Sequence, residues 1–351
     1  MPDGSPAASL VVQTSFLGDV VLTTALLREL AGRGPVDVVV RPDAAAVLAG
    51  HPDVRRVVVY DKRGRDRGVG GVWRLARALR AAGPYAAAYL AQGSPRSAAL
   101  ALAAGCRVRV GFDTSRNARP LYTRVVRFRR DRHHAERLWA LACPDAEPSA
   151  EAARPRLYPG EAERAAVDAL LGDLAAGAGG FVAVAPGSVW ATKRWPFYPA
   201  LGAELAGGWP VVVTGGPGDR ALADEIVAAC PPGRALDATG RLSLLASAEL
   251  IRRARLLVTN DSAPLHLASA VGTPTLAVFG PTVPAFGFGP LAPGSETSGV
   301  RDLACRPCDP HGPPACPLGH WRCMREQAPG AVAARARAML TGGALRADPG
   351  A

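Results

Sequence analysis

Val258 to Pro281, VTNDSAPLHLASAVGTPTLAVFGP, is the stretch from which the rest of the chain can be read. An apolar strand closing on Leu256, Leu257 and Val258 runs into Thr259-Asn260-Asp261-Ser262. Leu265 to Val271 then carries a helical pattern, and Thr275 to Phe279 reads as a second strand ending in Gly280-Pro281. Strand, polar turn, helix, strand is the unit of a parallel sheet. In such sheets ligands bind at the carboxyl ends of strands, where the next helix offers unpaired N–H groups and a positive dipole end to an anion. Asn, Asp and Ser before a helix are also ordinary N-caps. Here the chain places an acid, two hydroxyls and His266 together at that point.

Outward from this stretch the same alternation recurs. A series beginning at Phe181 to Pro186 continues with strands at Val211 to Thr214, Ala235 to Asp237 and Leu256 to Thr259, alternating with helices near Phe197 to Ala206, Ala221 to Ala229 and Leu244 to Ala254. An earlier series starts with the strand LVVQT, residues 10 to 14, and a helix opened by Asp19. Its further strands are expected at Val36 to Val40, Val54 to Tyr60, Tyr85 to Ala91 and Arg107 to Gly111. Alternation of this kind calls for doubly wound parallel sheets, an α/β architecture. A polar passage from Cys143 to about Gly180, with a helix near Glu161 to Leu171, reads as the crossing between two domains. We therefore expect domains at 1–165 and 166–325, with 326–351 forming a last helix, Ala328 to Leu340, and a tail. A chain of 351 residues is too long for one ordinary core.

The excess of 41 basic over 30 acidic residues gives a net charge of +11, which suits nucleic acid, an anionic membrane face or a phosphorylated glycolipid. With no nucleic-acid-reading motif present, the last two are favoured. No run of 18 apolar residues spans a membrane, and the N-terminus lacks the basic region and apolar core of a signal peptide. The expectation is a cytoplasmic protein, peripheral at the inner membrane. Thr214-Gly215-Gly216-Pro217-Gly218-Asp219 is neither GxGxxG nor a Walker loop, so a dinucleotide or ATP site is not indicated. Cys305, Cys308, Cys316 and Cys323 follow a C-x2-C-x7-C-x6-C spacing, a candidate structural zinc site, with free thiols as the alternative.

Three separated motifs carry a resemblance. Ser15-Phe16-Leu17-Gly18-Asp19 to Thr24, Pro186-Gly187-Ser188 to Lys193-Arg194-Trp195-Pro196, and Asn260-Asp261-Ser262-Ala263-Pro264-Leu265-His266 resemble glycosyltransferase family 9, the ADP-heptose:lipopolysaccharide heptosyltransferases, in which Gly is commoner where Ala263 stands. Gly240-Arg241-Leu242-Ser243-Leu244 and Phe279-Gly280-Pro281-Thr282 are similar to the same family. The resemblance implies a GT-B fold: two Rossmann-like doubly wound domains facing a cleft, with donor in the second, acceptor in the first, and the last helix packing back across both.

It also implies roles. Asp19 would be the general base, since a hydroxyl attacks poorly until its proton is being removed; read from residues alone, it stabilises a helix N-terminus. Lys193 would contact the departing phosphates, with Ser188 and Thr192 as hydroxyl donors. Gly215 and Gly216 would line the nucleoside side, Asp261 would bind sugar hydroxyls, and Ser262, Ala263, His266 and Thr282 would complete the donor site. Lys62, Arg63, Arg65, Arg96 and Arg124, with Arg116 and His134, form basic loops on the first domain; charge runs are usually solvated faces, but their grouping suits an acceptor bearing carboxylates and phosphates. The implied reaction is inverting transfer of heptose from ADP-heptose to inner-core lipopolysaccharide, requiring no cofactor. Transfer from another nucleotide sugar, a nucleotide-sugar 2-epimerase and a non-catalytic glycolipid-binding protein are the alternatives.

Overall fold

The computed structural model describes residues 7–175 and 180–342. The expected tail after the last helix, from 343 to 351, lies outside the described residues. The chain divides at Tyr158/Pro159 into two compact units.

The first unit is built on a six-stranded parallel sheet. Its strands are β1 (Ala8–Val12), β2 (Val36–Val40), β3 (Arg56–Val59), β4 (Tyr85–Leu90), β5 (Arg109–Phe112) and β6 (Arg124–Val126), in the order β3-β2-β1-β4-β5-β6. All five residues of β1 and of β2 are buried, as strands covered by helices on both faces must be. Leu10, Val12, Val39, Leu75, Leu79, Leu90 and Leu100 form the centre of its core. Asp37, second in β2, is fully buried. It is held by Arg55 (2.8 and 2.9 Å), Arg56 (2.8 Å) and the Tyr85 hydroxyl (2.6 Å). Burial opposes its charge, but the bonds from Arg55 and Tyr85 outweigh that and hold its carboxyl below the usual range. This paired charge sits at the amino ends of the strands, away from the ends where ligands bind.

The second unit repeats the topology. Strands β7 (Val182–Ala185), β8 (Val211–Val213), β9 (Ala235–Asp237), β10 (Leu256–Asn260), β11 (Thr275–Val278) and β12 (Glu296–Ser298) take the order β12-β11-β10-β7-β8-β9, all parallel. Val184, Tyr198, Leu201, Val213, Ile226, Val258, Val278, Val332 and Leu340 share one core. The helix Glu161–Leu171 packs on Leu244–Arg253 of this unit, so the division falls before it rather than at 165. The last helix, Pro329–Gly342, packs on Tyr198–Ala206 and on β10, both in this same unit.

Each sheet therefore has one switch point, between β1 and β4 and between β7 and β10, where strand order reverses and a crevice opens at the carboxyl ends. The sixth strand of each sheet was not legible in the sequence: Arg124–Val126 and Glu296–Ser298 have three residues each and no apolar run, because an edge strand needs to bury little. Strand β1 stops at Val12, two residues before its expected end. The Thr14 N–H leaves the sheet and donates to Gln92 Oε1 at 2.9 Å.

Candidate functional site

In the first unit the loop after β1 enters the helix Leu17–Ala31, which places Asp19 in the first helical turn. Its Oδ2 accepts from the Ser15 hydroxyl at 2.6 Å and from the Phe16 N–H at 3.3 Å, so it does serve the helix N-terminus as the residue type alone suggests. Its Oδ1 lies 3.6 Å from His134 Nε2. Burial, with the Arg137 cation nearby, pushes the His134 imidazole down to about 3, so it faces Asp19 as a neutral ring. The loop is fixed from beneath. Gln92, from the end of β4, also accepts from the Thr14 hydroxyl at 3.1 Å, and Gln13 donates to Thr23 at 3.2 Å.

The basic residues divide into two groups. Lys62, in the turn after β3, reaches back to donate to the Thr14 carbonyl at 3.0 Å. Its pKa is lowered by burial and then by the cations Arg41, Arg96 and Arg63, against Asp43, which pairs with Arg41 at 2.5 Å. Arg41, the first residue after β2, belongs to this cluster although the sequence reading passed over it; its position directly after a strand is the signal that could have found it. Arg65 is drawn to Asp66, 3.7 Å away. Arg124 begins β6 and is exposed at the amino end of an edge strand; it is not brought to the cluster.

In the second unit Asp261 and Lys193, 68 positions apart, meet: Lys193 Nζ lies 2.6 Å from Asp261 Oδ2. The same oxygen accepts from the Thr282 hydroxyl at 2.7 Å. Lys193 and Asp261 are each 8% exposed and Thr282 is 1% exposed, so this is a buried network at the ends of β10 and β11 and in the β7 loop. Asn260 makes it possible. Fully buried at the end of β10, its amide donates to the Pro186 carbonyl at 2.7 Å, while its oxygen accepts from the Trp195 N–H and the Tyr198 hydroxyl, both at 3.1 Å. One side chain thus ties both ends of the β7 loop to β10. The sequence showed Asn260 beside Asp261 but nothing of its partners.

Ser262 stands at the N-cap of the helix Ala263–Val271, yet its side chain makes no capping bond; its hydroxyl is 3.5 Å from that of Thr259. The first helical turn is therefore not closed by its own cap, and Ala263 opens it. His266, buried one turn on, meets Phe288 edge to face at 6.1 Å. Ser188 accepts from the Trp190 N–H at 3.3 Å, and its carbonyl accepts from Arg194 at 2.9 Å. Gly215 and Gly216 follow β8. Asp219 folds back to accept from the Gly216 N–H at 2.9 Å, and a Cβ on Gly215 would come within 2.6 Å of that carboxylate, which is why the position has no side chain. Ser243 in the GRLSL turn caps its helix through the Ala246 N–H at 3.1 Å.

The four clustered cysteines are free thiols, with Cys323 buried and the others half-buried. Among the described residues no three His, Cys, Asp or Glu side chains are grouped so that they could hold a metal ion. Cys305 Sγ is 3.8 Å from His320 Nε2, and burial pushes the Cys323 thiol up to about 11.

No helix among the described residues is long and apolar enough to cross a membrane. Comparison with known proteins gives a consistent result. The model of glycosyltransferase family 9 (heptosyltransferase) matches residues 72–315. Lipopolysaccharide heptosyltransferase 1 of Pseudomonas aeruginosa is 31% identical over 322 residues, covering 85% of each chain. A family 9 glycosyltransferase from Veillonella parvula has the same fold with a TM-score of 0.83 at 22% identity, covering 97% of this chain and 99% of its own. The ADP-heptose lipopolysaccharide heptosyltransferase II of Escherichia coli has it with a TM-score of 0.77 at 24% identity, covering 95% and 99%.

Proposed function

The chain belongs to glycosyltransferase family 9 and is a GT-B transferase, and from that premise we propose that it moves a heptose from ADP-L-glycero-D-manno-heptose to the inner core of lipopolysaccharide, at Kdo or the first heptose, with inversion and without a catalytic metal. The observation that carries the reading is the buried Lys193–Asp261–Thr282 network at the switch point of the second sheet, beside a helix start that its own Ser262 leaves uncapped.

A nucleoside diphosphate can enter such a network without stranding a charge. Lys193 exchanges the Asp261 carboxylate for a phosphate oxygen, and Asp261, still held by Thr282, turns to sugar hydroxyls. As the bond from the anomeric carbon to the diphosphate breaks, negative charge grows on the leaving group. Lys193, the Ala263 N–H and the positive dipole end of the helix Ala263–Val271 stabilise it there. Ser188, Thr192 and His266 complete the contacts, and Gly215 and Gly216 let the backbone approach the nucleoside.

Asp19 takes the proton from the acceptor hydroxyl as that oxygen attacks the opposite face of the anomeric carbon. Both hydrogen bonds from its own loop fall on Oδ2, which supports Oδ1, 3.6 Å from His134 Nε2, as the oxygen that takes the proton. Neutral His134 beside it adds no cation that would weaken the base. Arg41, Lys62, Arg63 and Arg96 supply the positive field for the carboxylates and phosphates of the inner core. The net charge of +11 supports a peripheral enzyme acting at the cytoplasmic face of the inner membrane.

Calorimetric titration with ADP, UDP, GDP and NAD tests this. ADP should bind selectively, and Lys193→Ala should abolish the binding. Preference for UDP would transfer the reading to another sugar donor, and a chain that binds no nucleotide would overturn it.

A further inference from the structure

The segment from Cys305 to Cys323 lies against the loops of the second unit's site. The Cys308 N–H donates to the Pro281 carbonyl at 2.9 Å. The Thr192 hydroxyl donates to the Pro313 carbonyl. Gly312, at φ +90°, passes so near that a Cβ there would sit 3.1 Å from Lys193 Cε. At the root of the segment the Arg306 guanidinium donates to the carbonyls of Thr282 at 3.0 Å, Phe279 at 3.4 Å and Val300. Among the described residues it makes no ion pair.

We propose that Arg306 is a positioning residue for the donor site. Its planar fork spans three carbonyls on both sides of the Phe279–Thr282 turn, which a single ammonium could not do. Held there, Thr282 keeps its hydroxyl on Asp261 Oδ2, the oxygen that also receives Lys193, so the location of one turn sets where both charged groups stand. A displacement of about 1 Å in such a constellation is enough to weaken it strongly. The Cys-rich segment thereby acts as a strap: Arg306 and Cys308 fix the Thr282 side of the site, and Gly312-Pro313 the Thr192-Lys193 side. This assignment rests on the donor reading above.

The test compares wild type, Arg306→Ala and Arg306→Lys for ADP affinity by calorimetry and for the two substrate KM values. Arg306→Ala should raise the ADP Kd and the donor KM about tenfold, the equivalent of about 1.4 kcal/mol, with the acceptor KM unchanged. Arg306→Lys should recover only part of this. A folded Arg306→Ala protein with wild-type ADP affinity, or with both KM values raised alike, overturns the assignment. Hydrogen exchange on the wild type covers the case in which the variant does not fold. ADP should slow exchange at the Cys308 amide together with residues 188–193; protection of the latter with Cys308 unchanged overturns it too. A wild-type chain that binds no ADP removes the donor reading, and the role of Arg306 falls with it.

Discussion

The two units share one topology and use charge in opposite ways. At the β7/β10 switch point Lys193 and Asp261 are buried and already paired, with Thr282 on the same oxygen. At the β1/β4 switch point Lys62 feels the cations Arg41, Arg63 and Arg96; Arg41 is paired with Asp43 at 2.5 Å, and Arg63 and Arg96 are exposed. The first arrangement holds its groups in place before a ligand arrives, and the buried pair opens as Lys193 exchanges Asp261 for the ligand. The second is a field, which attracts an extended anion and depends on salt. On the proposed reading, the same strand order would serve a small-molecule donor in one half and an anionic acceptor in the other, because function resides in the loops rather than in the sheet.

The sharpest way to probe this contrast is Asp19→Asn, since the proposed base lies in the open unit. Its kcat should fall about 10²- to 10⁴-fold with ADP affinity intact. Near-normal turnover in the folded variant would remove Asp19 from the chemistry and leave it a helix-terminus residue.

Stability should distinguish the units next. Lys193→Ala strands a buried carboxylate and should cost about 3–5 kcal/mol in urea unfolding, much of it regained when Asp261 is replaced by Leu in the same chain. Loss of an exposed cation in the first unit should change stability by less than about 1 kcal/mol. A cost as small as that at Lys193 would mean the pair is solvated and the contrast false.

The smallest effect is expected at the field. Arg63→Glu should raise the acceptor KM about fivefold at low salt, fading as ionic strength rises, with the donor KM unchanged. Equal shifts in both KM values would detach the cluster from the acceptor.

What could be read before folding was whatever repeats locally. Buried runs such as VDVVV and LLVTN, each followed by a helical period, declared two parallel βα series, and the polar turns after those runs picked out Asp19, Lys193 and Asp261. The edge strands at Arg124 and Glu296 escaped because their residues bury too little to leave a pattern, and that error also led Arg124 to be grouped with loops at the other end of the strands.

By itself, then, the sequence determined the two βα series, the family motifs and the positive charge, all of which depend on neighbours a few residues apart. Only the tertiary structure brought Lys193 to Asp261, placed Asn260 between the two ends of the β7 loop, added Arg41 to the cations and laid Arg306 under Thr282. Those contacts join residues that become neighbours only once strand order has reversed at a switch point or a distant segment has folded back over it. No local pattern carries that information.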